Sequence, residues 1–405
     1  MNEQNYCSVS KKCSGCQLSN MDYTRQLKYK QNQLRIRFNR LCSLNRIIGA
    51  DSPTAYRNKA QFVFRKLKGK VRCGIYQSAD KTIILTDSCA LHTPQQNSTA
   101  RTLCRLFDSF RIEPYDFYRH TGTVKSVFVR QSFHTGELMV VIVCDSNSRF
   151  LSKDKFVQAL VKEVPAVASV ILTTHRGTTL HQGDNPKVIY GSSHITDRIC
   201  GLNFIISYNS FFQINPKQTE KLYSTAISMA DLTPEDTVLD AYCGTGTIGL
   251  VSAGSCKKVY SVELNENAVR DARKNAKLNS ISNAEIVCAD SKDYIEYLRQ
   301  ENTPLSCAIL DPPRAGCSRS FLNSLSALAP ERIVYISCNI DTQLRDIRYM
   351  MKRGYKPIKA QGVDMFPYTK HIESVVLLCR TDKVKDAQSP EKDQQKSNKD
   401  PLPRR

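Results

Sequence analysis

Asp240-Ala-Tyr-Cys-Gly-Thr-Gly-Thr-Ile-Gly249 ends one short apolar run, TVLDAY at 237–242, and opens a helical stretch. A glycine-rich turn between a strand and a helix lets backbone approach a ligand closely. Taken alone, this G-x-G-x-x-G spacing fits nicotinamide cofactors as well as other nucleosides. The runs that follow narrow it. KKVYSVE ends in Glu263, 23 positions after Asp240; AEIVCAD ends in Asp290; SCAILD ends in Asp311. An acid at the first of these places accepts hydrogen bonds from ribose hydroxyls, and Asp290 is placed to meet an adenine edge. Such acids also serve as helix N-caps. RIVYISC and ESVVLLC complete the series, with helical stretches such as NENAVRDARKNAKL between the runs. Alternation of this kind predicts a parallel, doubly wound α/β sheet over 211–380.

Upstream the pattern differs. Short alternating runs (AQFVFRK, KSVFVRQ, GELMVVIVCD, SVILTT, KVIYG, LNFIIS) predict a largely antiparallel β-rich domain over 51–210. Before it, 1–50 holds a Cys- and Ser-rich loop and a basic helix with Leu27, Leu34, Phe38 and Leu41 at mostly helical spacing. The tail, 381–405, lacks apolar residues and is expected to be disordered. The 405 residues suggest two or three domains, and 41% hydrophobic with 24% charged residues is ordinary globular usage. No run approaches a membrane span. The N-terminus has no apolar core of the secretory kind. A cytoplasmic protein is expected. Its sixteen cysteines are then thiols rather than disulfides. Cys104, Cys144, Cys288 and Cys379 lie in apolar runs and are expected in the core.

Net charge is +20, and it is uneven. Between Asp22 and Arg72 fourteen Lys and Arg face only Asp22 and Asp51. Such a block is an electrostatic footprint for polyphosphate. Tyr23, Tyr29, Phe38, Tyr56, Phe62 and Phe64 are interleaved, either to stack on unpaired bases or to pack a core.

DAYCGTGTIG, VELNENA and DPPRAG together resemble the class I S-adenosylmethionine-dependent methyltransferases, with their Rossmann-like fold, and more narrowly the RNA uracil-5-methyltransferase family. FFQINPKQ at 211–218 is similar to that family's segment before its catalytic domain. The resemblance runs from Cys7 to about Arg380. It implies S-adenosylmethionine as cofactor, with Gln213, Tyr242, Gly244, Gly246, Glu263, Asp290 and Asp311 around it.

Cys338 ends a hydrophobic strand, and Glu373 stands at the mouth of the last one. Strand ends of open α/β sheets face the ligand crevice. Carbon 5 of uracil is a poor nucleophile. A thiolate added to carbon 6 makes carbon 5 enolate-like, and a base must later remove its proton. The resemblance assigns these two roles to Cys338 and Glu373. Cys317, in DPPRAGC, is a rival thiol; Glu373 has an alternative as a structural carboxylate; His371 is expected to be structural. Ile340 stands where the family usually has Pro. A base being modified must be flipped out or already unpaired, as in RNA loops.

Cys7, Cys13 and Cys16 form C-x5-C-x2-C, a spacing that chelates a soft metal or a cluster. The resemblance supplies a fourth ligand, Cys89, and a structural 4Fe–4S cluster, with zinc on the same four thiols as the alternative. These cysteines favour the branch acting on 23S-type ribosomal RNA, with tRNA second. Because Cys7 stands so near the start of the sequence, the small β-barrel module that many relatives carry first is not expected here. A monomer is expected. Two other readings remain: an amino-group methyltransferase, although Arg314 follows the prolines where that class has an aromatic, and a metal-stabilised RNA-binding protein without activity.

Overall fold

The architecture rests on two sheets that share one apolar core. The structure, a computed structural model, describes residues 7–77, 82–177 and 182–382. The expected disordered tail lies, after Asp382, outside the described residues.

The basic N-terminal stretch forms helix α1 (Tyr23–Phe38), begun by Asp22, whose carboxylate accepts the Arg25 N–H. Leu34 and Phe38 are buried. The helix ends there, and Arg40 turns the chain at φ 73°. Strand β1 (Ser43–Leu44) follows and joins the edge of the larger sheet.

The central domain is a seven-stranded sheet built from β2 (Lys59–Leu67), β3 (Lys70–Gln77), β4 (Thr82–Leu85), helix α2 (Pro94–Ser109), β5 (Val124–Gln131), β6 (Leu138–Asp145), helix α3 (Lys153–Glu163), β7 (Val167–His175) and β8 (Asp184–Gly191). The order is β4-β3-β2-β5-β6-β7-β8. Neighbours are antiparallel except β6 and β7, which α3 joins as a crossover. Sequence periodicity missed both helices. α2 carries few apolar residues, but its start is well marked: Thr93 and Gln96 form a reciprocal capping box and Pro94 opens the first turn. Phe107 and Phe156, from α2 and α3, stack at 5.7 Å over one face of the sheet.

The other face, with Phe128, Met139, Val141 and Ile171, packs on the hairpin β9 (His194–Ile199) and β10 (Leu202–Ser207) and runs on into the next domain as one core. There the chain forms α4 (Pro216–Ala230), β11 (Thr237–Asp240), α5 (Thr247–Ala253), β12 (Lys258–Glu263), α6 (Glu266–Leu278), β13 (Ala284–Cys288), α7 (Ser291–Gln300), β14 (Cys307–Leu310), α8 (Arg319–Leu328), β15 (Arg332–Ser337), α9 (Ile340–Met351), β16 (Tyr355–Val363) and β17 (Glu373–Arg380). The eight-stranded order is β1-β16-β17-β15-β14-β11-β12-β13. Strands β11 to β15 are parallel, and β17 returns antiparallel to β15. Growth reverses direction between β11 and β14, which opens a crevice at the strand carboxyl ends.

One expectation needs correction. Cys288 is exposed, because β13 is an edge strand with only one covered face. Of the two readings of the aromatics in the basic block, Phe38, Tyr56, Phe62 and Phe64 take the core one and are not free to stack on bases.

Helix α1 is fastened to the loop that precedes β17. Lys30 Nζ lies 2.6 Å from Asp364, and both side chains are fully buried. The Tyr23 hydroxyl donates to the other Asp364 oxygen at 2.9 Å, and Lys30 also donates to the Phe366 carbonyl. Removing one member of a buried pair strands the other charge. Asp364→Ala is therefore expected to lose about 3–5 kcal/mol in urea unfolding, and Lys30→Met combined with Asp364→Leu to recover most of it. A loss under about 1 kcal/mol for the single variant would show that the pair is not a fastening.

Candidate active site

A cleft of about 1000 Å³ opens at the carboxyl ends of the parallel strands. It is lined by Gln213, Tyr242, Gly244, Glu263, Asp290, Asp311, Cys338 and Glu373, so the structure brings eight of the expected residues together. Gly246 lies under the turn at φ 81° and begins α5. A Cβ there would press on Ala272 and Leu250. At Gly244, φ is 55° and a Cβ would project into open space, so the need for glycine there is conformational.

Glu263 fixes the glycine turn. Its carboxylate accepts the Gly244 N–H at 3.0 Å and the Asn265 N–H at 2.8 Å. Asp290 caps α7 through the Lys292 N–H and also lines the cleft, so capping does not remove it from the site. Asp311 caps no helix; Ser318 caps α8. Burial pushes the Asp311 carboxyl up to about 7. Gln213 is held through its backbone, whose carbonyl accepts from Asn58 Nδ2 at 2.9 Å. Tyr242 leans on Phe321, with ring centres 5.5 Å apart. These surfaces suit a nucleoside with a charged tail: a glycine turn without side chains, two acids at its rim, and an aromatic wall.

The reacting end of the cleft is set by strand register. In the antiparallel pair β15/β17, Ser337 is opposite Ser374. Continuing that register by one residue sets Cys338 opposite Glu373. Side chains so paired have Cβ atoms about 4.5–5.5 Å apart. The Cys338 turn is tied to the Asp-Pro-Pro-Arg turn: Asn339 Nδ2 and the Thr342 hydroxyl both donate to the Arg314 carbonyl. Ile340 sits at the first position of α9, with Asn339 as its cap and its own side chain buried. Proline is favoured at that position because its missing N–H has no helical partner there. Isoleucine preserves the same turn, so the departure costs little shape.

Cys317 is removed as a rival. It is 5% exposed, packed in the core, and its thiol, shared with Tyr335 and Tyr242, is pushed up to about 12 by burial. His371 stands at the cleft rim against Phe366, 6.0 Å between ring centres.

Electrostatics oppose ionisation of both Cys338 and Glu373. Burial pushes the Cys338 thiol up to about 11, helped by Glu373 and Asp311 and opposed by Arg314. Glu373 is 4% exposed, and burial with Asp311 holds its carboxyl well above the usual range, again against Arg314. Three polar residues here escaped the sequence reading. Asp240 is fully buried, with no hydrogen-bond partner of ordinary geometry on either oxygen; burial and Asp311 push it up to about 8. Tyr223 bonds Thr247 at 2.9 Å and lines the cleft. Arg57 reaches the cleft from the central domain with its Nε buried and unpartnered. In the sequence Arg57 was one of fourteen cations, with nothing to single it out.

The cysteines of the N-terminal loop are less closely gathered. Cys7, Cys13, Cys16 and Cys89 are all half-buried, and Cys7 lies near enough to Cys89 to raise its thiol. The His92 N–H donates to the Cys89 carbonyl at 3.1 Å, and the Cys89 N–H donates to Asn97 Oδ1 at 3.1 Å, which fix the turn that carries this thiol. Among the described residues no three His, Cys, Asp or Glu side chains stand in a metal-holding arrangement. The donor set itself, four thiols on a turn-rich loop and a neighbouring turn, fits a soft metal. No helix among the described residues is long and apolar enough to cross a membrane.

Comparison with known proteins agrees with this geometry. The family model described as tRNA (uracil-5-)-methyltransferase matches residues 187–381. A Clostridium acetobutylicum protein named an uncharacterized RNA methyltransferase is 37% identical over 385 residues, covering 93% of this chain and 84% of its own. A Listeria monocytogenes protein of the same description is 36% identical over 376 residues, covering 92% and 83%. Among solved structures, the Pyrococcus abyssi tRNA (uracil-54, C5)-methyltransferase in complex with S-adenosyl-L-homocysteine superposes with a TM-score of 0.74 at 24% identity, covering 90% of this chain and 86% of its own. At that identity the likeness concerns the fold.

A thiol with its midpoint near 11 is almost wholly protonated at neutral pH. Alkylation of Cys338 by iodoacetamide, followed on its own peptide by mass spectrometry, is expected to be slow at pH 7. It is expected to quicken about tenfold per pH unit up to about pH 10. Arg314→Ala is expected to slow it further. A rate that levels off by about pH 8 would contradict the buried, acid-flanked thiol.

Proposed function

Because the chain belongs to the S-adenosylmethionine-dependent RNA (uracil-5-)-methyltransferase family, we propose that it methylates carbon 5 of a specific uridine in 23S-type ribosomal RNA through a covalent cysteine adduct. The observation that carries this reading is that Cys338 and Glu373, the residues just beyond the last β15/β17 pair Ser337–Ser374, both line the cleft and lie close enough for Glu373 to raise the Cys338 thiol. An amino-group methyltransferase has no use for a thiol and a buried carboxyl in this relation. A binding protein without activity has no use for them either.

S-adenosylmethionine, held by Gln213, Tyr242, the Gly244 and Gly246 turn, Glu263, Asp290 and Asp311, supplies the methyl group. The other steps belong to the chain. Cys338, as thiolate, adds to carbon 6 of the uracil, and the electron pair of the 5,6 double bond moves toward carbon 5 and the carbon 4 oxygen. Once carbon 5 carries the methyl group, Glu373 takes the proton from it. The electrons of that C–H bond restore the double bond, the carbon–sulfur bond breaks, and Cys338 leaves as thiolate. A carboxylate whose proton affinity is raised by burial is a stronger base at this step than an exposed one. Arg314 favours the charged form of both groups. Both must be ionised when they act and both are shifted upward, so activity falls as pH is lowered.

Ribosomal RNA is favoured over tRNA by the N-terminal cysteines. We infer that Cys7, Cys13, Cys16 and Cys89 hold a structural 4Fe–4S cluster, with zinc as the other soft-metal fit. The support is the C-x5-C-x2-C spacing and the nearness of Cys7 to Cys89. The tRNA reading has its own support in the description of the matching family model.

Three measurements check these statements. Purified protein given labelled S-adenosylmethionine with unmodified ribosomal RNA or tRNA is expected to yield 5-methyluridine in the ribosomal RNA, by nucleoside mass spectrometry. Cys338→Ala should abolish the product yet keep cofactor affinity. Product in tRNA alone would move the substrate; undiminished turnover by Cys338→Ala would end the covalent mechanism. Glu373→Gln is expected to slow turnover by about 10²–10⁴-fold and to accumulate a denaturation-resistant protein–RNA adduct. Absence of the adduct, with turnover intact, would remove Glu373 as the base. Anaerobically prepared protein should contain iron and acid-labile sulfide, both lost in Cys13→Ser. Stoichiometric zinc without sulfide would replace the cluster.

A further inference from the structure

One group of polar side chains is left without partners, and it lies beside the cleft rather than in it. Lys59 on β2 stands directly opposite Arg130 on β5. Like charges so placed repel and are normally avoided. Here no carboxylate offsets them: neither residue takes part in an ion pair among the described residues. Arg130 is 3% exposed; one guanidinium nitrogen donates to the Ser210 carbonyl at 2.9 Å, and Nη1 has no partner. Gln61, two residues along the same face of β2 from Lys59, has its amide nitrogen buried and unpartnered as well. Lys59 is half-buried, its ammonium 5.8 Å from the Phe128 ring centre. Burial and Arg130 together push that amine down to about 8. Both charged groups are donors, and Gln61 adds an unpartnered NH2 beside its side-chain carbonyl oxygen.

Buried donors carry a desolvation penalty unless an acceptor meets them. Two cations and an amide with no acidic partner call for an anion from outside the chain. Neighbouring contacts fix where such an anion would sit. Asn58, next to Lys59, holds the Gln213 carbonyl and donates its backbone N–H to Ile214. Arg130 grips Ser210. Residues 211–213 line the cleft. The donor cluster is thus bolted to the segment that walls the reaction site, on the central-domain side.

We propose that Lys59, Gln61 and Arg130 form a seat for one phosphate of the RNA backbone next to the flipped nucleotide. The proposal rests on the reading of RNA as substrate. A phosphate oxygen enters from the side where Lys59 is open to solvent, meets the ammonium first, and completes the unpaired donors of Gln61 and Arg130 behind it. The seat relieves the repulsion of the two cations only when it is filled, which makes correct seating of the strand a condition for a settled wall at 210–213.

The test uses the full chain and whichever of unmodified 23S ribosomal RNA or tRNA it methylates. Arg130 is deeply buried and its replacement endangers folding, so the informative variant is Lys59→Gln. KM for RNA is expected to rise about tenfold, with the affinity for S-adenosylmethionine unchanged. The slope of log binding constant against log salt should fall by about one phosphate's worth. In the unaltered protein, Lys59 should be acetylated readily at pH 8 by an N-hydroxysuccinimide ester and be protected by that RNA at low salt, as read by peptide mass spectrometry. An unchanged salt slope, or no protection of Lys59 while the same RNA is bound, would overturn the seat and leave the RNA reading intact. Failure of the unaltered protein to bind or methylate either RNA would overturn that reading, and the seat with it.

Discussion

The antiparallel pairing of β17 with β15 is the constraint on which the site depends. Parallel strands end together, so the crevice of a doubly wound sheet collects residues from strand carboxyl ends: Asp240, Glu263, Asp311 and Cys338. A further side chain can reach that edge at the start of a strand only if the strand runs the other way. β17 does so, and its first residue is Glu373. The loop before it then becomes critical, because it must deliver a carboxyl into a desolvated wall. That loop is held from behind. Asp364 receives Lys30 and Tyr23; the Tyr368 N–H donates to Gln26; the Leu18 N–H donates to the Tyr368 carbonyl. The N-terminal helix and the Cys-rich loop therefore bear on the position of the proposed base, although neither contributes to the cleft lining among the described residues.

Burial sets the chemistry as much as position does. Asp240, Asp311 and Glu373 are all shifted toward the protonated form by burial, and Asp311 adds to the shift of the other two. Three ionised carboxyls in so small a space would repel one another and would repel an approaching phosphodiester. Shifted toward the protonated form, they carry less charge than three exposed carboxylates would. Arg314, on the turn tied to Cys338, favours the charged form of both the thiol and Glu373. It draws the two reacting groups toward ionisation, while burial draws them away. A ligand that excludes water strengthens every such interaction.

The catalytic half was legible because its signals are local. TVLDAY, KKVYSVE, SCAILD and RIVYISC contain strands β11, β12, β14 and β15, and LNFIIS matches β10 residue for residue. The acids at their ends follow from strand polarity alone. What escaped depends on distant partners. Strand β16 reads as polar because Lys356 and Lys359 alternate with buried positions, so its place between β17 and β1 shows only in the assembled sheet. Helix α2 was hidden by its polar composition, despite its capping box. Asp240 was visible as a strand end, but its burial beneath the glycine turn comes from Gly249, where a Cβ would lie 2.7 Å from the carboxylate. The basic block looked uniform. In the structure it divides into a buried fastening at Lys30, a cleft residue at Arg57, and an unpaired cation at Lys59.

That division explains how the two sheets act as one device. A continuous core joins Phe128, Met139 and Val141 of the central sheet to Ile206, Phe212 and Leu222, and from there to Val238 and Ile309 under the cleft. Packed interiors of this kind transmit displacement instead of absorbing it. Cations on the face of the central sheet thus sit at a fixed offset from Cys338, and on the proposed reading a strand of RNA lying on them would present its nucleotides to the cleft in a set register. A thiol adding to a nucleobase needs that base held within bonding reach and correctly oriented, and orientation of this sort accounts for much of the gain in covalent catalysis. Under that proposal the central domain would act as the ruler that measures from phosphate to reacting carbon, a task that charge alone, spread evenly over a mobile surface, would not perform.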